Sequence, residues 1–282
     1  MLTADQINIR DPFVLLHGDT YYLYGTRGAD CWGPATGFDV YTSGDLKAFS
    51  DPLPCFENDG SFWADRNYWA PEVHPWQGAF YMFASFKNET RRRGTAILRA
   101  DTPLGPFIPW SEGPVTPPEW ECLDGTFYAD AAGRPYMVFC HEWVQAGDGE
   151  IWALPLADDL QAAAGEPFLL FKASEAPWVQ PVRHSSGITG YVTDGPFLWR
   201  DRVGRLLCLW SSFSQGGYTQ GLAVSDNGEI DGRFSQLDPL FESDGGHGML
   251  FRDKGGRVLL ALHSPNKHLL ERPCFYPMPD DL

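Results

Sequence analysis

The feature that constrains this chain most is a unit that recurs five times. Each copy is an apolar strand, a short turn containing glycine or a polar residue, and a second strand rich in apolar and aromatic residues. The first copy begins at Asp11 (DPFVLLHGDTYYLY). The others begin at Ala70 (APEVHPWQGAFYMF), Asp124 (DGTFYADAAGRPYMVF), Asp194 (DGPFLWRDRVGRLLCLW) and His247 (HGMLFRDKGGRVLLAL), at intervals of 59, 54, 70 and 53 residues. An interval of this size holds two clear strands with room for two more, the make-up of a four-stranded propeller blade. Five such units fill the 282 residues, so the sequence predicts an all-β fold, a five-bladed β-propeller, as a single domain over 1–282. The segment from Cys274 to Met278 is expected to close the ring by pairing with an early strand.

Helical periodicity is nearly absent. Only Leu160 to Gly165 suggests a helical turn, which disfavours a barrel that needs eight helices. Gly (30) and Pro (23), with 15% aromatic residues, fit many short strands joined by tight turns. No shift in composition marks a linker. The 43% hydrophobic content against 21% charged residues is enough for a sizeable core.

Charge excludes one class of partner. With 21 Lys and Arg against 37 Asp and Glu, the net charge of −16 argues against nucleic acid. No apolar run approaches the roughly 18 residues of a membrane span, and the N-terminal MLTADQINIRDPF has no signal-like pattern, so no membrane partner and a cytoplasmic location are expected. The six cysteines, at 31, 55, 122, 140, 208 and 274, are never closer than 18 residues, so no CxxC pair exists and buried free thiols are expected. The Arg91-Arg92-Arg93 run reads as a solvated turn. Phosphate-loop, dinucleotide, zinc-protease and nucleophile-elbow motifs are all missing.

Aligned on the first residue of each unit, the five equivalent positions hold Asp11, Ala70, Asp124, Asp194 and His247. Innermost propeller strands run along the central axis, so these positions form a ring facing a narrow funnel. An Asp before Pro or Gly often does no more than start a turn. Three carboxylates converging at one height, however, are costly for structure alone, because each raises the pKa of the others and loses solvation. One acid, one base and a third carboxylate that tunes the acid form a set suited to cleaving glycosidic bonds. Second strands return to the funnel mouth, where Glu142 is expected near Asp124. Ser85, Ser211 and His263 at the matching ends suit a wet cleft. His247, within Gly-Gly-His-Gly, is a candidate metal ligand on the axis.

These residues resemble glycoside hydrolase family 43. The carriers are Arg10-Asp11-Pro12-Phe13, Tyr68-Trp69-Ala70-Pro71-Glu72-Val73, Leu123-Asp124-Gly125-Thr126, Thr193-Asp194-Gly195-Pro196-Phe197 and Gly246-His247-Gly248-Met249, from Arg10 to about Arg272. The resemblance implies an inverting hydrolase of the arabinofuranosidase or β-xylosidase type, a five-bladed propeller, and an expected closed sugar pit adds exo action that releases a terminal pentose from hemicellulose- or pectin-derived oligosaccharides. The resemblance also implies Asp11 as general base, Asp124 as the modulator of the acid's pKa, and a calcium ion on the axis beside His247. The family's general acid is usually a Glu in Glu-Gly-Pro. Here Asp194 stands in its place, one methylene shorter, which leaves Asp194 and Glu142 as alternative acids. A non-catalytic sugar-binding propeller is the other class of reading. Trp69, Trp143 and Trp63 are candidate walls of a closed sugar pit, and Arg272 resembles the family's late arginine that touches the sugar.

Overall fold

The computed structural model describes residues 1–279 and 281–282 and is nearly all strand. Five antiparallel sheets form the blades of a five-bladed β-propeller. Blade 1 comprises Ile9–His17, Thr20–Arg27, Gly37–Ser43 and Leu53–Glu57. Blade 2 comprises Arg66–Trp76, Ala79–Lys87, Gly94–Ala100 and Ile108–Pro109. Blade 3 comprises Cys122–Ala129, Pro135–His141, Glu150–Pro155 and Phe168–Lys172. In blade 4 the strands are Asp194–Arg200, Leu206–Ser214, Gly217–Ser225 and Phe234–Gln236. Blade 5 has three, Gly246–Arg252, Val258–Ser264 and Arg272–Pro277.

Second strands are covered on both faces by neighbouring blades, so they read as unbroken apolar runs rather than alternating ones. Ala79–Lys87 (AFYMFASFK) is buried at every position but the last. The core is the set of seams between blades, where Phe38, Phe56, Tyr68 and Phe86 meet edge to face or tilted between blades 1 and 2.

Two expectations are corrected here. The segment around Cys274 pairs with Val258–Ser264 as the third strand of blade 5, not with an early strand. The ring closes through side chains: the Arg10–Glu271 ion pair at 2.7 Å, Asn8 donating to the Glu271 carbonyl, and Phe275 stacked on Phe49. Leu160 to Gly165 is a bend rather than a helical turn, and the one short α-helix among the described residues is Trp143–Ala146. All six cysteines are free, five of them buried.

Candidate active site

Every innermost strand is bulged at the end facing the funnel mouth. The residues Asp11-Pro12, Ala70-Pro71, Asp124-Gly125, Gly195-Pro196 and His247-Gly248 each oppose a single partner on the second strand. The first residue of each pair has positive φ: 53° at Asp11, 48° at Ala70, 56° at Asp124, 51° at Gly195 and 50° at His247. Non-glycine residues seldom adopt this conformation, and four of them do so here at one register position. The extra residue turns the side chains of Asp11, Asp124 and His247 into a pit on the axis.

The same register corrects the sequence alignment in blade 4. Gly195, not Asp194, occupies the bulge. Asp194 lies one residue nearer the mouth, level with Arg10, Trp69, Leu123 and Gly246, and borders both the pit and the wider cleft above it. Base and acid candidates therefore stand at two heights.

Following the backbone N–H groups explains how the bulges are held. The amide of Ala70 donates to Thr26 Oγ1 (2.7 Å), Asp124 to Ser85 Oγ (2.8 Å), His247 to Ser211 Oγ (2.7 Å) and Asp11 to His263 Nδ1 (3.1 Å). Each acceptor sits at the same place on the second strand of the preceding blade, so the caps run around the ring. Ser85, Ser211 and His263 are thus fully buried structural acceptors, not the lining of a wet cleft. Blade 3 breaks the pattern, because the equivalent residue is Cys140, a weak acceptor. The amide of Gly195 donates instead to Asp124 Oδ2 at 3.0 Å. At the second bulge position, proline removes the N–H in three blades. Where glycine stands instead, Thr95 Oγ1 caps Gly125 and Gln220 Oε1 caps Gly248.

Charge in the pit is arranged around His247. Its Nδ1 lies 3.2 Å from Asp11 Oδ1 and 3.6 Å from Asp124 Oδ2. Burial alone lowers the His247 pKa, but Asp11, Asp124 and Asp194 outweigh it and the net shift is upward, so the ring favours its cationic form. His263 is the opposite case. Its Nδ1 accepts the Asp11 amide, which puts its proton on Nε2, facing Asn266 Oδ1 at 3.2 Å. The 3.5 Å approach of that Nδ1 to Asp11 Oδ1 is therefore no ion pair, and burial lowers the His263 pKa to about 3.

The three aspartates are pushed apart. For Asp11, burial works upward, but His247 and Arg10 prevail and hold the pKa below the usual carboxylate value. Thr26 Oγ1 also donates to Asp11 Oδ2 at 2.6 Å. Asp124 is raised to about 7, by burial first and then by the charges of Asp194 and Asp11, against the pull of His247. Burial raises Asp194 too, opposed by His247 and by the Tyr218 hydroxyl, which donates to Oδ2 at 2.9 Å. These shifts favour an ionised Asp11 opposite an Asp124–Asp194 pair that holds its proton to higher pH than a free carboxyl.

Above the pit opens a cleft of about 1040 Å³. Trp69 borders both spaces and Trp143 borders the cleft. The indole N–H of Trp69 is tied to the Cys31 carbonyl, and the Arg93 guanidinium lies 4.5 Å over its ring. Arg93 is only 6% exposed, so the triple-arginine run is not wholly solvated. The guanidinium donates to Glu142, which stands in the cleft wall and not among the residues bordering the pit with Asp124.

Two candidates lie elsewhere. Trp63 packs against Phe62 and Phe86 under Arg91 and lines neither the pit nor the cleft. Arg272 donates to the carbonyls of Asp5, Leu269 and Glu271 at the seam of blades 5 and 1. The arginine that reaches the pit is Arg10, oriented by Glu271. Sequence reading also missed Trp32, 60% exposed at the mouth and edge-on to Trp69, and Tyr218 beside Asp194. Arg10 had a signal, being the neighbour of Asp11 in one motif. Nothing in sequence placed Trp32 or Tyr218 here.

The expected calcium can be tested against the donors present. Among the described residues no group of three or more His, Cys, Asp or Glu is arranged to hold a metal ion. His247 turns Nδ1 to two carboxylates, and calcium prefers a shell of six to eight oxygens. These side chains do not fit a directly coordinated calcium ion.

The model of the glycosyl hydrolases family 43 matches residues 6–276. The chain belongs to glycosyl hydrolase family 43. A protein of known structure, an endo-arabinase from Bacteroides thetaiotaomicron VPI-5482, is 41% identical with a TM-score of 0.92, over 99% of this chain and 96% of that one. An endo-1,4-β-xylanase structure from the same organism is 25% identical with a TM-score of 0.80, over 98% of this chain and 92% of that one. Among curated proteins, an extracellular exo-α-(1→5)-L-arabinofuranosidase of Cellvibrio japonicus (strain Ueda107) is 28% identical over 178 residues, 57% of this chain. The match spans 47% of that relative's length. The expected cytoplasmic location is corrected by this match, since the curated relative is described as extracellular.

Proposed function

We propose that this family 43 hydrolase is an inverting, exo-acting α-L-arabinofuranosidase working on arabinan-derived oligosaccharides. One observation carries the chemistry: two carboxyl groups at different heights of one pit are biased oppositely, Asp11 toward the ionised form and Asp194 toward the protonated one. In this reading Asp11 takes a proton from a water as its oxygen bonds to the anomeric carbon. Asp194, at the boundary of pit and cleft, gives its proton to the departing glycosidic oxygen. Asp124 keeps a proton within reach of Asp194 through their mutual repulsion. Glu142, already accepting from Arg93, is read as an acceptor for a substrate hydroxyl rather than as the acid.

The exo reading rests on the shape. The pit is about 70 Å³, suited to the buried end of one sugar, and the cleft takes the rest of the chain. Arabinose is favoured over xylose because two of the three relatives named above are described by their action on arabinose-containing substrates. The test is hydrolysis of reduced α-1,5-arabino-oligosaccharides and xylo-oligosaccharides, with products followed by chromatography and the first anomer by NMR. Arabinose alone, released as the inverted anomer, is the expected result. Release of longer fragments would replace the exo reading with an endo one, and binding without turnover would point to a sugar-binding propeller.

A further inference from the structure

Tyr218 lies in the third strand of blade 4 and is 1% exposed, yet its hydroxyl reaches the edge of the pit. Three features hold the ring. His263 stacks on it at 5.5 Å with planes 22° apart, and Phe213 lies 5.2 Å away. Gly246 leaves the space the ring fills, since a Cβ there would sit 2.8 Å from a Tyr218 ring carbon. The hydroxyl cannot swing away, and it donates to Asp194 Oδ2 at 2.9 Å. Asp194 Oδ1 has no protein partner among the described residues. Burial also raises the Tyr218 pKa well above the usual phenol value, so the group stays a donor.

We propose that Tyr218 is a positioning residue for proton donation, fixing Asp194 so that Oδ1 carries the proton and stabilising the carboxylate left behind. The inference rests on Asp194 being the general acid. As the Asp194 Oδ1–H bond breaks, an O–H bond forms on the departing oxygen, which takes the electron pair of the cleaved C–O bond. The attacking water meanwhile bonds to the anomeric carbon and loses its proton to Asp11. Negative charge thus appears on Asp194 during the step, and the phenol O–H, already aimed at Oδ2, strengthens with it. An aspartate has one torsion fewer than a glutamate and less reach, so an external donor that fixes its plane matters more here than for a longer acid.

The test compares Tyr218→Phe, Asp194→Ala and the double variant on α-1,5-arabinotriose and on 2,4-dinitrophenyl α-L-arabinofuranoside, whose leaving group needs no proton. Phenylalanine keeps the ring between Gly246 and His263, and thermal unfolding checks the fold. Tyr218→Phe is expected to lower kcat about 10-fold on the trisaccharide and less than about 2-fold on the aryl glycoside, with KM unchanged on both. In the Asp194→Ala background it should add nothing. Equal losses on the two substrates, no loss on the trisaccharide, or a further loss without Asp194 would each overturn the assignment. If Asp194→Ala alone slows both substrates equally, Asp194 is not the donor. That outcome removes the functional reading and the Tyr218 role together, without involving Tyr218 at all.

Discussion

At the end of the innermost strands away from the mouth, blades 3, 4 and 5 turn back through one recurring string: Asp130-Ala-Ala-Gly133-Arg134, Asp201-Arg-Val-Gly204-Arg205 and Asp253-Lys-Gly-Gly256-Arg257. At the mouth end, the same strands begin from bulges that no two blades spell alike. In the turns, one Asp oxygen accepts the amides two and four residues on, and the other accepts the Arg Nε at 2.6 to 2.8 Å. Identical residues make identical structure from contacts inside five residues. The bulges reverse this. One backbone shape is built from different residues because its hydrogen bonds come from the preceding blade, which frees the side chain to be Asp, Ala, Gly or His. The turns are held locally, and the ring-dependent bulges turn Asp11, Asp124 and His247 into the pit.

The comparison predicts that substitutions at the two ends have different consequences. The largest effect is expected at Asp11→Asn, which keeps the shape and the Thr26 contact but removes the proposed base. Activity should fall about 1,000-fold or more, with the unfolding midpoint close to that of the wild type. A comparable fall in stability would mean that the bulge charge serves the fold.

The pH dependence of kcat follows from the shifts in the pit. In the proposed mechanism activity needs Asp11 ionised, so it rises with pH below the usual carboxylate range. The same mechanism needs Asp194 protonated, so activity falls as the Asp124–Asp194 pair loses its proton, Asp124 lying at about 7. Asp124→Asn removes the repulsion and should move the alkaline limb to lower pH. A limb that stays in place would separate Asp124 from the acid.

At the other end, Asp201→Ala removes the acceptor of the Val203 and Arg205 amides and should cost about 1 kcal/mol in denaturant unfolding, with kcat unchanged. Most of that is the backbone contribution, because the Arg205 partner is half-exposed.

The smallest effect sharpens the comparison most. Cys140→Ser supplies the hydroxyl that blades 1, 2 and 4 use as a cap, so it should compete with Asp124 for the Gly195 amide and lower kcat by about 3-fold. Cys140→Ala, without an acceptor, should stay at the wild-type rate. Equal behaviour of the two variants would show that Asp124 does not depend on that amide.

Asp11, Asp124 and His247 were legible because a repeated strand pattern aligned them, and Trp69 because it sits inside the specific Trp-Ala-Pro-Glu string. That string divides its work: Trp69 walls the pit, Ala70 forms the bulge, and Glu72 accepts from Thr126 of blade 3. Asp194 was placed one residue off because both Asp-Gly-Pro and Asp-Pro read as the start of a strand, and only the pairing register separates them. Arg272 and Trp63 were misplaced because long side chains near a motif can turn to either side of a seam. Tyr218, Trp32 and the Arg93–Glu142 pair went unseen because their partners are distant in sequence.

The sequence by itself determined the number of blades, the position of each innermost strand and the turns that return it, since those depend on alternation and on contacts a few residues apart. Only the closed ring decided which residue of each unit enters the bulge, which oxygen of Asp124 is held, and where the proton rests among Asp11, Asp124 and Asp194. Those outcomes depend on hydrogen bonds between consecutive blades and on charges from four blades meeting on one buried axis, where each group's state is set by the others.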